Sequence, residues 1–297
     1  MTYSIVARQA LAGTFVLAFL LLGSCKENSS KPVVSTLSIA VLPDDSSENL
    51  LARYTPLIDH ISAFTGYKVN LVIPDSYQHL LELFGKKQID MARFGGFTYI
   101  KANRDYGAKA LVFRDIDAQF TSVILVRAES KAKTLGDLKG LRFGFGSELS
   151  TSGHLMPRQF LMDDKINPET YFSSVVYTGS HNKTAESVRD RKVDAGVANS
   201  DIIEQMFRTG QLKTSEVRIL WRSPTYQDYL WAVNQDMDQQ TARKIRDSFL
   251  VLPDGGNAEK VLLKRLGANY FLPATEADFV SLAEAVDTYE KWKNQHD

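Results

Sequence analysis

Hydrophobic and polar positions along this chain follow two rhythms, and the rhythms take turns. Residues 36–42 (Thr-Leu-Ser-Ile-Ala-Val-Leu) alternate and then turn apolar, which predicts a strand. Residues 43–49 (Pro-Asp-Asp-Ser-Ser-Glu-Asn) read as a loop able to cap the next helix. Leu50, Leu51, Tyr54, Leu57, Ile58, Ile61 and Phe64 then recur at helical spacing, and Pro56 predicts a kink or a helix starting near it. Strands at 67–73, 89–94 and 108–114 alternate with helices at 77–84 and 97–106.

The apolar run 120–127 predicts a longer strand that crosses into a second lobe, where the alternation repeats. Strands fall at 141–145, 172–178, 193–197 and 216–221, and helices at 151–163, 182–190 and 200–208. Residues 221–231, with Pro224, read as the return crossing, and helical segments at 238–250, 257–266 and 275–293 pack back on the first lobe. Strand–helix alternation at this spacing is the signature of βαβ units, hence an α/β fold. The expected division is lobe 1 at 36–126 plus 228–297 and lobe 2 at 127–227, hinged near Arg127 and residues 225–228. A chain that leaves one α/β lobe, builds another and returns makes a cleft, and pockets favour such interfaces and the carboxyl ends of parallel strands.

Residues 144–153 (Gly-Phe-Gly-Ser-Glu-Leu-Ser-Thr-Ser-Gly) stand where a second-lobe strand feeds a helix. The first N–H groups of a helix lack partners and its macrodipole is positive there. Ser150 is a good N-cap, Gly153 occupies the position where a capping box needs Glu or Gln, and no acid lies between Thr151 and Met162. Three hydroxyls and several amides without an internal anion predict a place for an external one. The stretch is not a Walker loop, since no Lys follows the last Gly, and its Gly spacing fails the dinucleotide fingerprint.

Charge and composition narrow the partners. The chain has 297 residues, 35 basic and 35 acidic, with no Lys/Arg stripe, which argues against counterion-driven nucleic-acid binding. Arg8 precedes an apolar run at 11–22, short for a membrane span but suited to a signal peptide. Leu22-Gly23-Ser24-Cys25 resembles the bacterial lipoprotein box, which implies cleavage of residues 1–24 and lipidation of Cys25, followed by a tether at 25–35. Cys25 is the only cysteine, so no disulfide in the exported part explains it.

Together, the lobes, the crossover and Ser150-Thr151-Ser152-Gly153 resemble the phosphate/phosphite/phosphonate substrate-binding proteins of ABC importers. The similarity covers about 37–291 and includes Asp-Ser-Tyr at 75–77, Ile-Asp-Met-Ala-Arg-Phe-Gly at 89–95 and Tyr-Thr-Gly-Ser-His at 177–181. It continues through Lys-Val-Asp-Ala-Gly-Val-Ala-Asn-Ser-Asp at 192–201 and from Arg-Ser-Pro at 222–224 to Trp231. The resemblance implies a type II periplasmic-binding-protein fold: two α/β lobes with mixed sheets, joined by two crossover strands around a ligand cleft. It implies that Ser150, Thr151 and Ser152 grip phosphonyl oxygens, that His181 adds a donor and that Tyr77 closes from the first lobe. Phe94 stands where many members have a Tyr, so one hydroxyl is missing. Asp201 falls where a family carboxylate meets the ligand's ammonium, with Asp228 assisting. Arg93 is set aside, because a strand residue can point away from the cleft.

A carboxylate beside a dianion in a dry cleft repels it by several kcal/mol at effective dielectrics near 20. If Asp201 reaches the pocket, an ammonium or a proton on a phosphoryl oxygen must lie between them, which leaves aminophosphonate, phosphate and phosphite open. The expected partners are a small phosphorus oxyanion, a permease and ATPase, and a membrane met only through the lipid anchor. The chain is expected to be a monomer on the periplasmic side of a bacterial envelope, with no cofactor or metal. One alternative is a ligand sensor of the same fold signalling to a membrane kinase. An enzyme of the thiamine-pyrimidine-synthesis type is less well supported: His60, His79, His154, His181 and His296 form no metal-spaced set, and no nucleophile elbow is present.

Overall fold

The computed structural model describes residues 36–296, and the expected signal peptide, the expected tether and Cys25 lie outside the described residues. Among the described residues eleven strands form two sheets. They are β1 (Thr36–Val41), β2 (Lys68–Val72), β3 (Met91–Phe94), β4 (Lys109–Arg114), β5 (Ser122–Arg127), β6 (Arg142–Phe145), β7 (Ser174–Tyr177), β8 (Ala195–Asn199), β9 (Val217–Arg222), β10 (Leu230–Val233) and β11 (Phe271–Pro273). The first sheet runs β11-β4-β10-β3-β1-β2 and the second β7-β6-β8-β5-β9. Both are mixed: β1 pairs parallel with β2 and β3, and β6 with β7 and β8, whereas β10 and β5 run antiparallel to their neighbours.

Helices cover both faces of each sheet, as strands apolar on both sides require. On one face of the first sheet lie α1 (Ser47–Thr65) and the helices Gln239–Leu250 and Asn257–Leu266, with Leu57, Ile61, Ile245 and Phe249 fully buried. The other face carries α2 (Tyr77–Gly85), α3 (Gly96–Tyr106) and the C-terminal helix Val280–His296. In the second sheet, β5 and β8 bury one face under α4 (His181–Arg189) and α5 (Ser200–Thr209). The helix Met156–Asp163 lies over the other face.

Two expectations change. Pro56 neither starts nor ends its helix; α1 runs through it. A proline deprives the carbonyl four residues earlier of its N–H partner. Here that carbonyl, on Ala52, accepts a 2.8 Å bond from Arg265 Nη1 instead. The run 120–127 is likewise not a strand of lobe 1. β5 is hydrogen-bonded on both sides, to β8 and β9, within the second sheet. The chain therefore changes sheets earlier, around the antiparallel bridge between Phe120 and Tyr226. Arg127 is the last residue of β5, paired with Val217, so the crossing lies near 120, beside the other expected crossing at 225–228.

Candidate functional site

Four helices begin at the gap between the sheets, and their first residues carry the polar groups found there. Tyr77 opens α2, Gly96 opens α3, Thr151 opens the helix after β6, and His181 opens α4. Helix N-termini offer unpaired N–H groups and a positive dipole end, so their convergence favours an anion.

The stretch 150–155 has an unexpected geometry. Thr151–Leu155 is π-helical, with Leu155 N–H donating to Ser150 O (2.9 Å) and Met156 N–H to Thr151 O, before the chain continues as an α-helix. The wider turn leaves one more leading N–H without a partner inside the helix than an α-turn would. Ser150 Oγ caps it by accepting from Gly153 N–H at 2.9 Å, as the sequence predicts. Gly153 lies so close to its surroundings that a Cβ would stand 2.9 Å from His181 Cε1 and 2.9 Å from Ser150 Oγ. Its role is close approach, since its φ is not positive. Behind the turn, Tyr226 Oη lies 2.5 Å from Ser122 Oγ, which donates at 2.7 Å to Ser152 O and so fixes the Ser152 backbone.

First-lobe groups meet this turn directly. Phe97 N–H donates to Thr151 Oγ1 at 3.0 Å, and Gly96 N–H donates to Asp228 Oδ1 at 3.0 Å. A side chain at Gly96 would fall 2.0 Å from Leu282 Cδ2, which is why the β3–α3 turn is built of glycine. Asp44, just past β1, accepts on Oδ2 from Arg93 Nη1 at 3.0 Å, while its backbone oxygen accepts from His181 N–H at 3.3 Å. The Arg93 guanidinium rests 3.8 Å from the centroid of the Tyr229 ring, and Tyr229 Oη accepts from Asn199 Nδ2 at 2.9 Å across the gap.

Five buried polar atoms here have no hydrogen-bond partner among the described residues: Asp44 Oδ1, Tyr77 Oη, Ser152 Oγ, His181 Nε2 and Asp228 Oδ2. Each such atom costs roughly 1–3 kcal/mol, so a group of five in one place marks a site made for something polar. His181 Nδ1 accepts from Asn199 N–H at 3.2 Å, which puts the ring proton on the unpartnered Nε2 and makes it a donor. Burial pulls the His181 pKa down to about 4, against the charge on Asp44, so the ring is neutral at neutral pH. Burial pushes Asp228 up to about 7, against its bonds from Gly96 and Thr151. Asp44 behaves oppositely: burial is the largest single influence and would raise it, but Arg93, His181 and Arg53 together outweigh burial and hold the carboxyl below its ordinary value. Burial also works against the charge on Arg93, yet Tyr54, Asp44 and Tyr229 outweigh it and keep the guanidinium protonated. Of these residues, Tyr77 also lines a groove of about 450 Å³, with Ser46, Asp75, Ser147, Ser180 and Lys183.

Of the predicted residues, the fold brings together Ser150, Thr151, Ser152, His181, Tyr77 and Asp228. Phe94 lies behind them in the core, edge-on to Phe84 at 5.1 Å and fully buried. Asp201 does not join them. Its side chain is 44% exposed, 3.8 Å from Arg114, in a separate groove with Arg53, Arg208, Lys264 and Arg265. As an acid in the first turn of α5 it also meets the favourable dipole end there. The carboxylates facing the partnerless donors are Asp228 and Asp44. The sequence reading missed Asp44 and set Arg93 aside. The available signal was position, since both lie at the carboxyl ends of parallel strands, where such folds bind ligands.

Comparison with known proteins gives a consistent picture. The family model for the phosphonate periplasmic substrate-binding protein of ABC transporters matches residues 39–279. A probable ABC transporter phosphite-binding protein of Prochlorococcus marinus is 28% identical over 270 residues, covering 86% of this chain and 91% of that protein. The phosphonates-binding periplasmic protein of Escherichia coli is 25% identical over 292 residues, covering 96% of this chain and 84% of its own. A solved Prochlorococcus marinus structure in complex with methylphosphonate superposes with a TM-score of 0.82 at 26% identity, covering 86% of this chain and 99% of that one.

Proposed function

This chain belongs to the family of ABC-transporter phosphonate periplasmic substrate-binding proteins, and from that membership and the cleft we propose that it captures a small phosphorus oxyanion for import. The observation that carries the reading is the group of five partnerless buried polar atoms between converging helix N-termini. Ser152 Oγ, Tyr77 Oη and His181 Nε2–H supply donors, and the head of the π-turn supplies backbone N–H groups. Thr151 acts differently from Ser152. Its Oγ1 already accepts from Phe97 N–H, so it ties the two lobes together in the closed form. Closure needs the lobes to swing about 120 and 225–228, with ligand bridging groups from both.

Export by the signal peptide 1–24 and attachment through lipidated Cys25 hold the protein on the periplasmic side, where a permease and ATPase take over the ligand. The protein acts as a monomer and catalyses no reaction. Thermal-shift screening against phosphate, phosphite, methylphosphonate, 2-aminoethylphosphonate and sulfate tests the proposal, because a ligand that binds only the folded state raises its melting temperature. At least one phosphorus oxyanion should raise it by several degrees. If none does, the reading fails.

A further inference from the structure

The residue that follows Ser150–Gly153 is fully buried, yet its ring is bonded on both nitrogens. His154 Nε2 lies 2.9 Å from Arg158 Nε and 3.1 Å from Tyr177 Oη, and Nδ1 lies 2.6 Å from Glu148 O. A guanidinium N–H can only donate, so Nε2 accepts and the ring proton sits on Nδ1, which donates to the Glu148 carbonyl. The imidazole therefore staples residue 154 to residue 148 across the base of the turn that carries Ser150, Thr151 and Ser152. Arg158 is fixed in its own right, with Glu169 Oε1 at 2.7 Å from Nη2. An apolar residue can fill such a space without burying polar groups. Holding the Glu148 carbonyl requires an N–H at that point.

The C-terminal helix braces this staple. Tyr289, Trp292 and Lys293 stand three and four residues apart, which puts them on one helix face. The Tyr289 ring meets His154 edge-on at 5.0 Å, the Trp292 ring lies 4.6 Å from the Arg158 guanidinium, and Lys293 Nζ pairs with Glu148 Oε1 at 2.6 Å. Each of the three touches a different member of the network. Tyr289 also packs at 5.9 Å on the ring of Phe97, whose N–H donates to Thr151 Oγ1. The turn is thus held from α3 on one side and from the end of the C-terminal helix on the other. We propose that His154 is a positioning residue: acting through the turn rather than on the anion, it fixes 148–154 so that Ser152 Oγ and the leading N–H groups point at the ligand, and the Tyr289–Trp292–Lys293 face locks it in place. This rests on the phosphorus-oxyanion reading above and adds to it the group that keeps the donors in register.

The test measures methylphosphonate and phosphite affinities by calorimetry in wild type, Ser152→Ala, His154→Phe, the double variant and His154→Asn, with amide NMR spectra of the ligand-free proteins alongside. His154→Phe keeps a ring and loses the staple, so it should weaken binding about tenfold or more; His154→Asn, which keeps an N–H near the Nδ1 position, should recover most of that loss. Ser152→Ala should cost at least about threefold less in the His154→Phe background than in wild type, since a misaimed hydroxyl has little left to lose. A merely structural role for His154 would leave that cost unchanged. Folded His154→Phe with wild-type affinity, or an equal cost of Ser152→Ala in both backgrounds, overturns the inference. Should His154→Phe not fold, Tyr289→Leu/Lys293→Met strips two contacts of the brace and should speed methylphosphonate dissociation severalfold in stopped-flow; an unchanged rate overturns the inference. Wild type that binds neither anion overturns the oxyanion reading alone. The Ser152 and Gly153 amide signals then decide: they move in a His154 variant if the staple sets the turn, and if they stay in place the inference falls too.

Discussion

Replacing Gly153 by alanine adds one methyl group at the tightest point of the cleft. An ideal Cβ there lies 2.9 Å from His181 Cε1, 2.9 Å from Ser150 Oγ and 3.2 Å from Gly146 Cα. The imidazole is held by Asn199 N–H on Nδ1 and the hydroxyl by Gly153 N–H, so neither yields without losing a bond. Overpacking of this kind costs about 1–3 kcal/mol, partly offset by roughly 0.5–1 kcal/mol from alanine's better helix propensity. The melting temperature should therefore fall only modestly. Affinity should fall much further, because the displaced His181 Nε2–H and the disturbed π-turn are both proposed ligand donors. One or two bonds to a charged group, at about 1.5–3 kcal/mol each, correspond to a loss of roughly 10- to 100-fold or more. Ile245→Val, in the core of the first sheet away from the cleft, should cost about 0.5–1.5 kcal/mol of stability with no change in affinity. Calorimetric titration and thermal melts of both variants check this. A folded Gly153→Ala protein with wild-type affinity would refute the placement of His181 and the 150–155 turn at the ligand.

The same cleft and core set other expectations. Burial holds His181 and His154 at about 4 and about 3, below their unfolded values, so the unfolded chain takes up protons first. The stability they contribute is full above the ordinary His value and is lost as pH falls toward 4; ligand-free melts from neutral to acid pH should show the decline, and His154→Gln should lessen it. Asp228 has the opposite sign. Its raised value, about 7, means that stability tied to its proton is lost as pH rises toward and through 7. Asp228→Asn should stabilise the ligand-free protein more at pH ~8 than at pH ~5, by on the order of a few kcal/mol, read from denaturant melts at the two pH values. Arg265→Ala should cost about 1 kcal/mol while Pro56 is present and less in a Pro56→Ala background, where an N–H can serve Ala52 O again; a double-mutant cycle of denaturation midpoints reads the coupling. Trp292, in the C-terminal helix, covers the Arg158 guanidinium at 4.6 Å from the helix after β6. Trp292→Ala should loosen closure and speed ligand dissociation severalfold, measurable by stopped-flow.

The alternation of rhythms made both sheets and nearly all the longer helices legible, since each element buries one stripe or two faces regardless of its neighbours. Assignment to a lobe was less legible. An apolar run such as 120–127 announces burial on both faces, but only pairing with β8 and β9 decides which sheet holds it. Of the two outcomes expected at Pro56, a kink or a helix start, the start does not occur, and Arg265, far along the chain, satisfies the carbonyl that the proline leaves bare. The helix start at Ser150, Thr151 and Ser152 was readable because capping is set locally. Asp44 was not. In sequence it resembles a loop residue before a helix, and its meaning depends on Arg93 beside it and His181 from the other lobe. Asp201 shows the converse, a first-turn acid whose direction no local pattern records.

On the reading proposed here, the partnerless donors Tyr77, Ser152 and His181, each at the head of a helix, grip a phosphorus oxyanion. Calorimetric titration of the exported protein with methylphosphonate, phosphite and phosphate at neutral pH, in wild type and in Ser152→Ala/His181→Ala, tests it most directly. The expected result is saturable one-to-one binding of at least one of these anions, lost by about 100-fold or more in a double variant that remains folded. Equal affinity in the two proteins, or no binding heat from any of the three anions, would contradict it.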